Sequence, residues 1–380
     1  FRRVLFRSVP NMELHVYICS SRCHRFWLLG ALVTRGDKVT LFSFFSVHRE
    51  DYHMELKKLH KLAIPAIAGA MAMASVSGAS ALEIKSSDVH PMGYPTTDAI
   101  KYMGDLLNSW TGGRINVKIF HSMQLGGEKE ALEQVQIGAL EMTRVSVGVV
   151  GPIVKEFDAF NLPYFFRSID HMHKVVDGEV GTNLLNRLEA GGLIGLGYMD
   201  AGSRSFYNKV RAINVPADLN GLKIRVMQNP VFVDMVNALG GNGIQVSFSE
   251  LYTALQTGVV DGAENNPPTL FNHKHYEIAN YYSLTRHLIV PEIFVFSKKV
   301  WDTLSPLDQQ LIRKASALTV QRERDLWATK EAGDMANLKK VGVKINEVPD
   351  TAPFIAATQS VRDELGKKFA DLIKQAQAVK

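Results

Sequence analysis

The sequence predicts an α/β protein with two lobes, and three observations lead to this prediction. The chain has 380 residues, which exceeds the roughly 100 to 200 residues of a usual single domain. From Leu82 onwards, short apolar runs with strand character alternate with amphipathic runs of helical period. Glycine-rich turns such as Gly112-Gly113 and Gly126-Gly127 separate these runs without forming a low-complexity linker. We therefore expect parallel sheets that are covered by helices.

The predicted strands are short and rich in β-branched or aromatic residues, which favour extended backbone. They cover Leu82–Ser86, Arg114–Phe120, Leu193–Met199 and Lys223–Val226. The predicted helices have apolar residues three to four positions apart, and the last two are rich in Ala, Leu, Glu and Lys. They cover Thr96–Trp110, Lys129–Ile137, Ile169–Glu189, Pro230–Leu239, Phe248–Thr257, Asp308–Val320 and Arg322–Lys339. We expect the last two helices to connect the lobes.

The first 81 residues differ from the rest of the chain. Residues 1–53 show no clear helical or strand period, so we expect no stable domain there and interpret them as a leader without function. Residues 54–81 have the three parts of a secretory signal peptide: a basic start, an apolar middle and small residues before Ala81. A retained membrane anchor is the alternative, but Pro65 interrupts the apolar middle. We predict cleavage after Ala81 and a periplasmic location.

The charge and the cysteine content of the chain from Leu82 onwards exclude several classes of site. Residues 1–81 hold 11 of the 43 Lys and Arg residues and 5 of the 38 Asp and Glu residues, which leaves 32 against 33 and a formal charge of −1. A nucleic-acid groove or a site for anionic membranes needs clustered positive charge, so neither is expected. Both cysteines, Cys19 and Cys23, lie in the leader, which excludes disulfides and cysteine-ligated zinc after Leu82.

Two arginines at strand edges are the first candidates for binding. Arg204 directly follows an apolar strand, and Arg225 lies within Leu222–Val226. A guanidinium next to apolar strand residues is costly to desolvate unless a carboxylate meets its planar donors. A carboxylate ligand would provide this contact, but so would a structural partner such as Asp200 or Asp234.

Three further segments carry polar side chains in turns. The turn Asp261–Pro268 includes Asn265 and Asn266, which would face a ligand or cap the next helix. Glu128 lies in a first helical turn, where the helix dipole favours it in any case. Asp88 and His90 follow the first strand, and a single His in a loop is more often structural or solvated than a ligand contact.

The sequence gives no support for catalysis. It has no Gly-x-Ser-x-Gly, no His-Glu-x-x-His and no phosphate-binding glycine loop with Lys-Ser/Thr. We therefore predict a protein that is not an enzyme and that needs no metal or other cofactor.

Five motifs in order resemble the extracytoplasmic solute-binding proteins of tripartite ATP-independent periplasmic (TRAP) transporters, of the DctP type. The resemblance extends from Leu82 to about Leu372. The motifs cover Gln124–Glu128, Phe160–Tyr164, Gly221–Val226, Glu250–Gln256 and Asp261–Asn265.

The resemblance implies roles for individual residues. Arg225 would bind the ligand carboxylate with two parallel bonds, Arg204 would be the second cleft arginine, and Asn265 would join them. A further polar set would serve the ligand hydroxyls, namely Asp88, His90, Glu128, Arg144 and Asn266.

The resemblance also implies a two-lobed periplasmic binding protein fold, type II-like, with hinge crossings and a long connecting helix. Lobe I would hold 82–203 and 288–330, and lobe II would hold 204–287 and 331–380. The partners would be a small organic acid and the small and large integral subunits of a TRAP transporter. We expect a monomer.

The polar set favours a hexuronate, such as glucuronate or galacturonate, as the ligand. A C4-dicarboxylate or a 2-oxo acid is the alternative, and the sequence excludes neither. Two other classes of protein also stay open, a ligand-sensing module for a membrane receptor and an exported enzyme.

Overall fold

A computed structural model describes residues 2–6, 13–20, 27–35, 38–47 and 81–380. The chain divides into two compact units, Phe1–Ala79 and Ser80–Lys380. The predicted signal peptide lies outside the described residues except for Ala81, and its cleavage stays a prediction.

The first unit contains an antiparallel sheet. Its strands pair in chain order and are β1 (Arg2–Phe6), β2 (Glu13–Ser20), β3 (Trp27–Arg35) and β4 (Lys38–Val47). These four strands were not predicted, because residues 1–53 show no clear strand period, and the absence of a stable domain there stays a prediction. Pairing between strands that follow each other along the chain satisfies the backbone without an alternating apolar pattern.

The second unit alternates strands and helices, as the sequence predicts. Its strands are β5 (Leu82–Ser87), β6 (Ile115–Phe120), β7 (Met142–Ser146), β8 (Leu193–Met199), β9 (Ser203–Asn208), β10 (Lys223–Val226), β11 (Asn242–Gln245), β12 (Gly262–Asn265), β13 (Tyr281–Ile289), β14 (Glu292–Ser297) and β15 (Lys344–Glu347). Its α-helices are α1 (Pro95–Thr111), α2 (Glu128–Ile137), α3 (Ile169–Asp177), α4 (Glu179–Arg187), α5 (Pro230–Ala238), α6 (Leu251–Thr257), α7 (Pro267–Asn272), α8 (Lys298–Trp301), α9 (Pro306–Lys340), α10 (Ala352–Ala357), α11 (Gln359–Lys368) and α12 (Ala370–Ala378).

Two sheets organise this unit. The first sheet has the strand order β6-β5-β7-β14-β8, and the second has the order β11-β10-β12-β9-β13-β15. The expectation of parallel sheets needs correction, because both sheets are mixed. β14 runs antiparallel to β7 and β8, and β9 runs antiparallel to β12 and β13. The antiparallel strands are those next to the points where the chain passes between the sheets.

The chain crosses between the sheets at residues 200–202 and 290–291, and helix α9 contacts elements on both sides. The predicted lobe boundaries at 203/204 and 287/288 lie within three residues of the first two crossings. The C-terminal helices do not belong to one side only. Helix α11 contacts α5, which follows β10 of the second sheet, whereas α12 contacts α4, which precedes β8 of the first sheet.

Two helix predictions differ from the structure for local reasons. The predicted helix over 169–189 is interrupted at Gly178, which is both the C-cap of α3 and the N-cap of α4. The two helices predicted over 308–339 form one continuous helix of 35 residues, because no Gly or Pro near Gln321 interrupts it.

The cores lie between the sheets and their helices. On the first sheet, Ile84, Phe294 and Phe296 pack against the α1 residue Met103 and the α9 residue Ile312. A second cluster joins Tyr207, Leu251, Ala263 and Tyr282 to Leu338 of α9. The long helix α9 therefore contributes to both of these clusters.

Candidate functional site

A cavity lies between the two sheets. Its wall comes from the ends of strands in both sheets and from the loops that follow them. The lining residues are Val89, His90, Glu128, Ser146, Arg204, Arg225, Met227, Phe248, Asn265, Asn266, Thr269 and Glu292. Six of the eight residues predicted for the site therefore line the same cavity. Asp88 and Arg144 do not line it.

Arg225 is a buried cation without an acidic partner. It lies on β10 and is 2 % exposed. Its Nε donates to the backbone oxygen of Val246 at 2.8 Å, and its guanidinium carbon lies 5.6 Å from the centre of the Phe248 ring. Its Nη1 is buried without a hydrogen-bond partner, and no residue in the described part of the chain forms an ion pair with it. Burial lowers the pKa of Arg225 from 12.5 to about 10.

Arg204 is held by a structural carboxylate. Its Nε donates to Glu264 Oε2 at 2.6 Å and its Nη2 to Glu264 Oε1 at 2.7 Å, while Nη1 donates to Asn265 Oδ1 at 3.0 Å. Burial disfavours the charge of Arg204, but Glu264 outweighs this effect and raises the pKa of Arg204 above its usual value. Likewise, Glu264 is buried, yet Arg204 lowers its pKa to about 2. The alternative of a structural partner is thus correct for Arg204, but the partner is Glu264 rather than Asp200 or Asp234.

His287 completes this buried group from the neighbouring strand β13. Its Nε2 lies 3.7 Å from Glu264 Oε2, its Nδ1 lies 2.8 Å from the Thr285 hydroxyl, and its ring stacks on Phe206. Burial lowers the pKa of His287, which favours the neutral ring. The arginine, the glutamate and the histidine link three neighbouring strands of the second sheet next to the cavity.

The turn after β12 serves mainly as a cap. Asn266 is the N-cap of α7, and its Oδ1 accepts from the backbone nitrogen of Thr269 at 2.8 Å. Its Nδ2 donates to the backbone oxygen of Ala201 in the first crossing at 2.9 Å. Asn265 Oδ1 also accepts from the backbone nitrogen of Asn266 at 2.9 Å. The capping alternative therefore holds for Asn266, although both amides also line the cavity.

His90 lies in an aromatic group at the edge of the cavity. Its ring stacks on Tyr94 with centroids 3.7 Å apart, and its Nδ1 lies 2.8 Å from Nε2 of His273. Phe248 contacts both histidine rings edge-on, with centroids 5.7 Å and 4.7 Å away. Burial, together with the charge of Arg144, holds the pKa of His90 well below its usual range. His90 is therefore a neutral hydrogen-bonding group at physiological pH.

Arg144 is at the centre of a buried acidic cluster behind the first-sheet wall. Its side chain is 0 % exposed. Its Nη1 donates to Glu128 at 2.6 Å and to Glu292 at 2.7 Å, and its Nε donates to Asp88 at 3.2 Å. Burial opposes its charge, but the three carboxylates hold the pKa of Arg144 well above its usual value. Arg144 and Asp88 thus support the wall, whereas Glu128 and Glu292 are part of it.

Several lining residues were missed in the sequence. Glu292 begins β14 directly after Pro291 and reads as an ordinary strand-edge acid. Phe248 reads as the start of an amphipathic helix, but a short 3₁₀ turn places it against Arg225 and His90 instead. Ser146, Met227 and Thr269 have no chemical feature that separates them from core or cap residues. The motif Glu250–Gln256, one of the five that carried the resemblance, begins two residues after Phe248 and was the available signal.

Within residues 81–380 and the four described strands before them, no cluster of His, Cys, Asp and Glu is arranged to hold a metal ion. In the same residues, no helix combines the length and the hydrophobicity that crossing a membrane requires.

Comparisons with known proteins agree on one family. The model of bacterial extracellular solute-binding protein family 7, DctP, matches residues 86–368. A solute-binding protein of Chromohalobacter salexigens is 39 % identical over 288 residues, which cover 75 % of this chain and 85 % of that protein.

Solved structures of TRAP periplasmic solute-binding proteins are similar over most of the chain. One from Pseudomonas putida F1 with bound D-glucuronate has a TM-score of 0.77 and 48 % identity, and the match covers 79 % of this chain and 98 % of that one. Another from Bradyrhizobium with bound galacturonate has a TM-score of 0.76 and 41 % identity, and the match covers 78 % and 99 % of the two chains.

Proposed function

Since the chain belongs to the DctP family of bacterial extracellular solute-binding proteins, we propose that it captures a hexuronate such as glucuronate or galacturonate for a TRAP membrane transporter. The family binds small organic acids and serves membrane transporter subunits, and it is not a family of enzymes. The observation that supports this ligand most directly is the buried guanidinium of Arg225 on the cavity wall. No carboxylate of the described residues balances its charge.

The ligand carboxylate would occupy the free side of Arg225. An unpaired buried charge is costly, and a carboxylate that accepts two of its N–H groups removes most of this cost. In the water-poor cavity each charge-assisted bond contributes about 1.5 to 3 kcal/mol. Arg204 and Asn265 lie beside this position and already form hydrogen bonds with Glu264 and with each other. Their proposed role is therefore to orient the carboxylate that Arg225 binds.

The charges of the remaining wall favour an acid with one carboxylate. Glu264 already neutralises Arg204, so Arg225 is the one lining arginine whose charge no carboxylate in the described residues balances. The first-sheet wall presents the carboxylate of Glu128, which would repel the second carboxylate of a C4-dicarboxylate. Glu128 and Glu292 accept hydrogen bonds from hydroxyl groups, as His90 and Asn266 also can. One carboxylate and several hydroxyls describe a hexuronate.

The same polar wall speaks against a 2-oxo acid. Such a ligand would leave the glutamate oxygens and the amides without partners once the cleft closes, and each unsatisfied buried group costs about 1 to 3 kcal/mol. Phe248 is the aromatic side chain on the wall and covers one face only. The site therefore favours a ligand that is polar on several sides.

Thermal unfolding with a panel of acids tests this proposal. The chain from Leu82 to Lys380 would be measured with glucuronate, galacturonate, succinate, malate and pyruvate, with a neutral sugar as control. Ligand at 100 times its Kd stabilises a protein by about 2.7 kcal/mol, so a uronate should raise the unfolding temperature by several degrees and succinate should not. A shift with succinate alone would contradict the single-carboxylate argument, and no shift with any acid would contradict the proposed function.

We further propose that the protein acts as a periplasmic monomer after removal of the signal peptide 54–81. DctP-type binding proteins are periplasmic, and the proposal adds cleavage after Ala81. Mass spectrometry of the protein from a periplasmic extract should give a chain that begins at Leu82. Light scattering with and without ligand should give the mass of one copy, and a dimer in either state would contradict the monomer.

A further inference from the structure

The acidic cluster around Arg144 holds more negative than positive charge. One guanidinium contacts the three carboxylates of Asp88, Glu128 and Glu292, and the exposed fractions of these three side chains are 1 %, 10 % and 7 %. The paired Arg204 and Glu264 contribute no net charge, and Arg225 contributes one positive charge. With every group ionised, the three arginines face four carboxylates.

Binding of an organic acid increases this excess. One ligand carboxylate balances Arg225, and the cluster around Arg144 is then left with two uncompensated negative charges. Uncompensated buried charge is costly in a cleft that excludes water, and a buried carboxyl that gains a proton removes that cost.

The contacts identify Glu292 as the group that gains the proton. Asp88 accepts hydrogen bonds from Arg144, from the backbone nitrogen of His90 at 2.8 Å and from the Thr96 hydroxyl at 3.0 Å, so its oxygens already have several donors. Glu128 lies in the first turn of α2, where the helix dipole favours negative charge. Glu292 has the single contact with Arg144, through Oε2, and lies on a central strand.

We propose that Glu292 contacts the bound organic acid as a neutral carboxylic acid, so that capture of the ligand takes one proton from solvent into the cleft. The proton binds a carboxylate oxygen of Glu292, and the resulting O–H donates to an oxygen of the ligand. Glu292 thereby also selects for ligands that offer an acceptor at this position. This inference rests on the proposed function, because it needs an acid in the cavity.

The electrostatic surroundings of Glu292 agree with this inference. Burial raises the pKa of Glu292, the contact with Arg144 opposes this increase, and the charge of Glu128 reinforces it. The charged or titratable groups that face it from the packed elements are Asp88, Tyr94, Glu128, Arg144, Arg204 and Glu323. Glu323 on α9 is fully buried outside the cavity lining, and burial holds its pKa well above its usual value.

The nearby histidines are not expected to take up the proton. Burial lowers the pKa of His273 to about 4, and it lowers the pKa values of His90, His275 and His287 as well. They are therefore neutral before the ligand binds. Proton uptake above pH 7 points to a carboxyl.

Calorimetry with D-glucuronate and D-galacturonate tests the inference. At pH 8, the apparent binding enthalpy should change with the ionisation enthalpy of the buffer in the proportion expected for uptake of close to one proton. At pH 5.5, where Glu292 is already neutral, this dependence should vanish. Above pH 7 the Kd should rise by up to about tenfold per pH unit, because each unit of pH then changes the free energy of protonation by about 1.4 kcal/mol.

Two variants assign the proton. E292Q keeps the shape of the neutral acid, so its Kd should change by less than about threefold between pH 6 and pH 9. E323Q removes another buried acid outside the cavity wall and should keep the pH dependence of the wild type.

A pH dependence of the Kd that persists in E292Q, or wild-type binding heats that do not depend on the buffer, would overturn the inference while the proposed function stands. Should E292Q fail to fold, the wild-type heats alone decide. Absence of binding by both acids would overturn the proposed function and this inference with it.

Discussion

The two arginines of the cavity should respond in opposite ways to the same substitution. Arg225 has no acidic partner among the described residues, whereas Arg204 has Glu264. Each unit of pKa corresponds to about 1.4 kcal/mol, so the fall in the pKa of Arg225 from 12.5 to about 10 corresponds to roughly 3 kcal/mol by which burial destabilises its charge. This cost applies in full below pH 10 and disappears as the pH rises towards 12.5.

Replacement by methionine removes the charge and keeps most of the volume. Arg225→Met loses the bond to Val246, about 1 kcal/mol, and the contact with Phe248, which contributes a similar amount. We therefore expect the free energy of unfolding of the unliganded protein to rise by about 1 kcal/mol. Arg204→Met leaves the Glu264 carboxylate buried without its cation and should lower this free energy by about 3 to 5 kcal/mol.

Denaturant unfolding of both variants, with and without a saturating uronate, measures these effects. In both variants the uronate should no longer stabilise the protein. Without ligand, the free energy of unfolding should rise in Arg225→Met and fall in Arg204→Met. If Arg225→Met destabilised the unliganded protein as much as Arg204→Met does, Arg225 would have a partner and the reasoning would be refuted. If Arg225→Met were still stabilised by the uronate, the carboxylate would bind elsewhere.

Three further predictions follow from local geometry. Arg225→Lys should raise the Kd for a uronate more than tenfold, because one ammonium cannot form two parallel bonds with a carboxylate; an unchanged Kd in calorimetry would contradict this. Gly127→Ala would place a Cβ 2.4 Å from the Ser247 hydroxyl of the facing lobe, so it should raise the Kd without touching the ligand. Gly333→Ala on α9, where a Cβ meets nothing within 4 Å, is the matched control and should leave the Kd unchanged. Finally, the pKa of Glu264 is lowered from 4.5 to about 2, so the Arg204 ion pair stabilises the fold fully above pH 4.5 and progressively less as the pH falls towards 2. Glu264→Gln should therefore destabilise the protein at pH 7 by about 3 kcal/mol and by much less at pH 2.5, as measured by urea unfolding.

Several strands and helices of the second unit were predicted to within one residue of their observed bounds. The predicted ranges of β8 and β10 coincide with Leu193–Met199 and Lys223–Val226 of the structure. Helix α5 was predicted one residue too long, since its C-cap is Leu239. In these segments the period of apolar residues and the adjacent turns reflect one physical requirement, burial of one face.

Four of the strands that were not predicted carry charged side chains at or behind the cavity. β7, β9, β12 and β14 carry Arg144, Arg204, Glu264 and Glu292. These charges interrupt the apolar pattern by which a buried strand is recognised, because they face one another or the cavity rather than water. In these four strands, the charged residues that form or support the cavity wall also weaken the local strand pattern, as expected where function opposes local preference.

The role of each arginine depends on contacts that spacing does not contain. Glu264, the partner of Arg204, is 60 residues further along the chain, and the two meet because β9 and β12 are antiparallel neighbours with Phe206 opposite Glu264. Arg225 lies on β10, the next strand of the same sheet, and its side chain meets no carboxylate of the described residues. The sheet order thus neutralises one of two similar arginines and leaves the other positively charged in a buried cleft. Because a single uncompensated positive charge accommodates a single carboxylate, the order of strands in the second sheet, rather than the number of arginines, favours a ligand with one acid group.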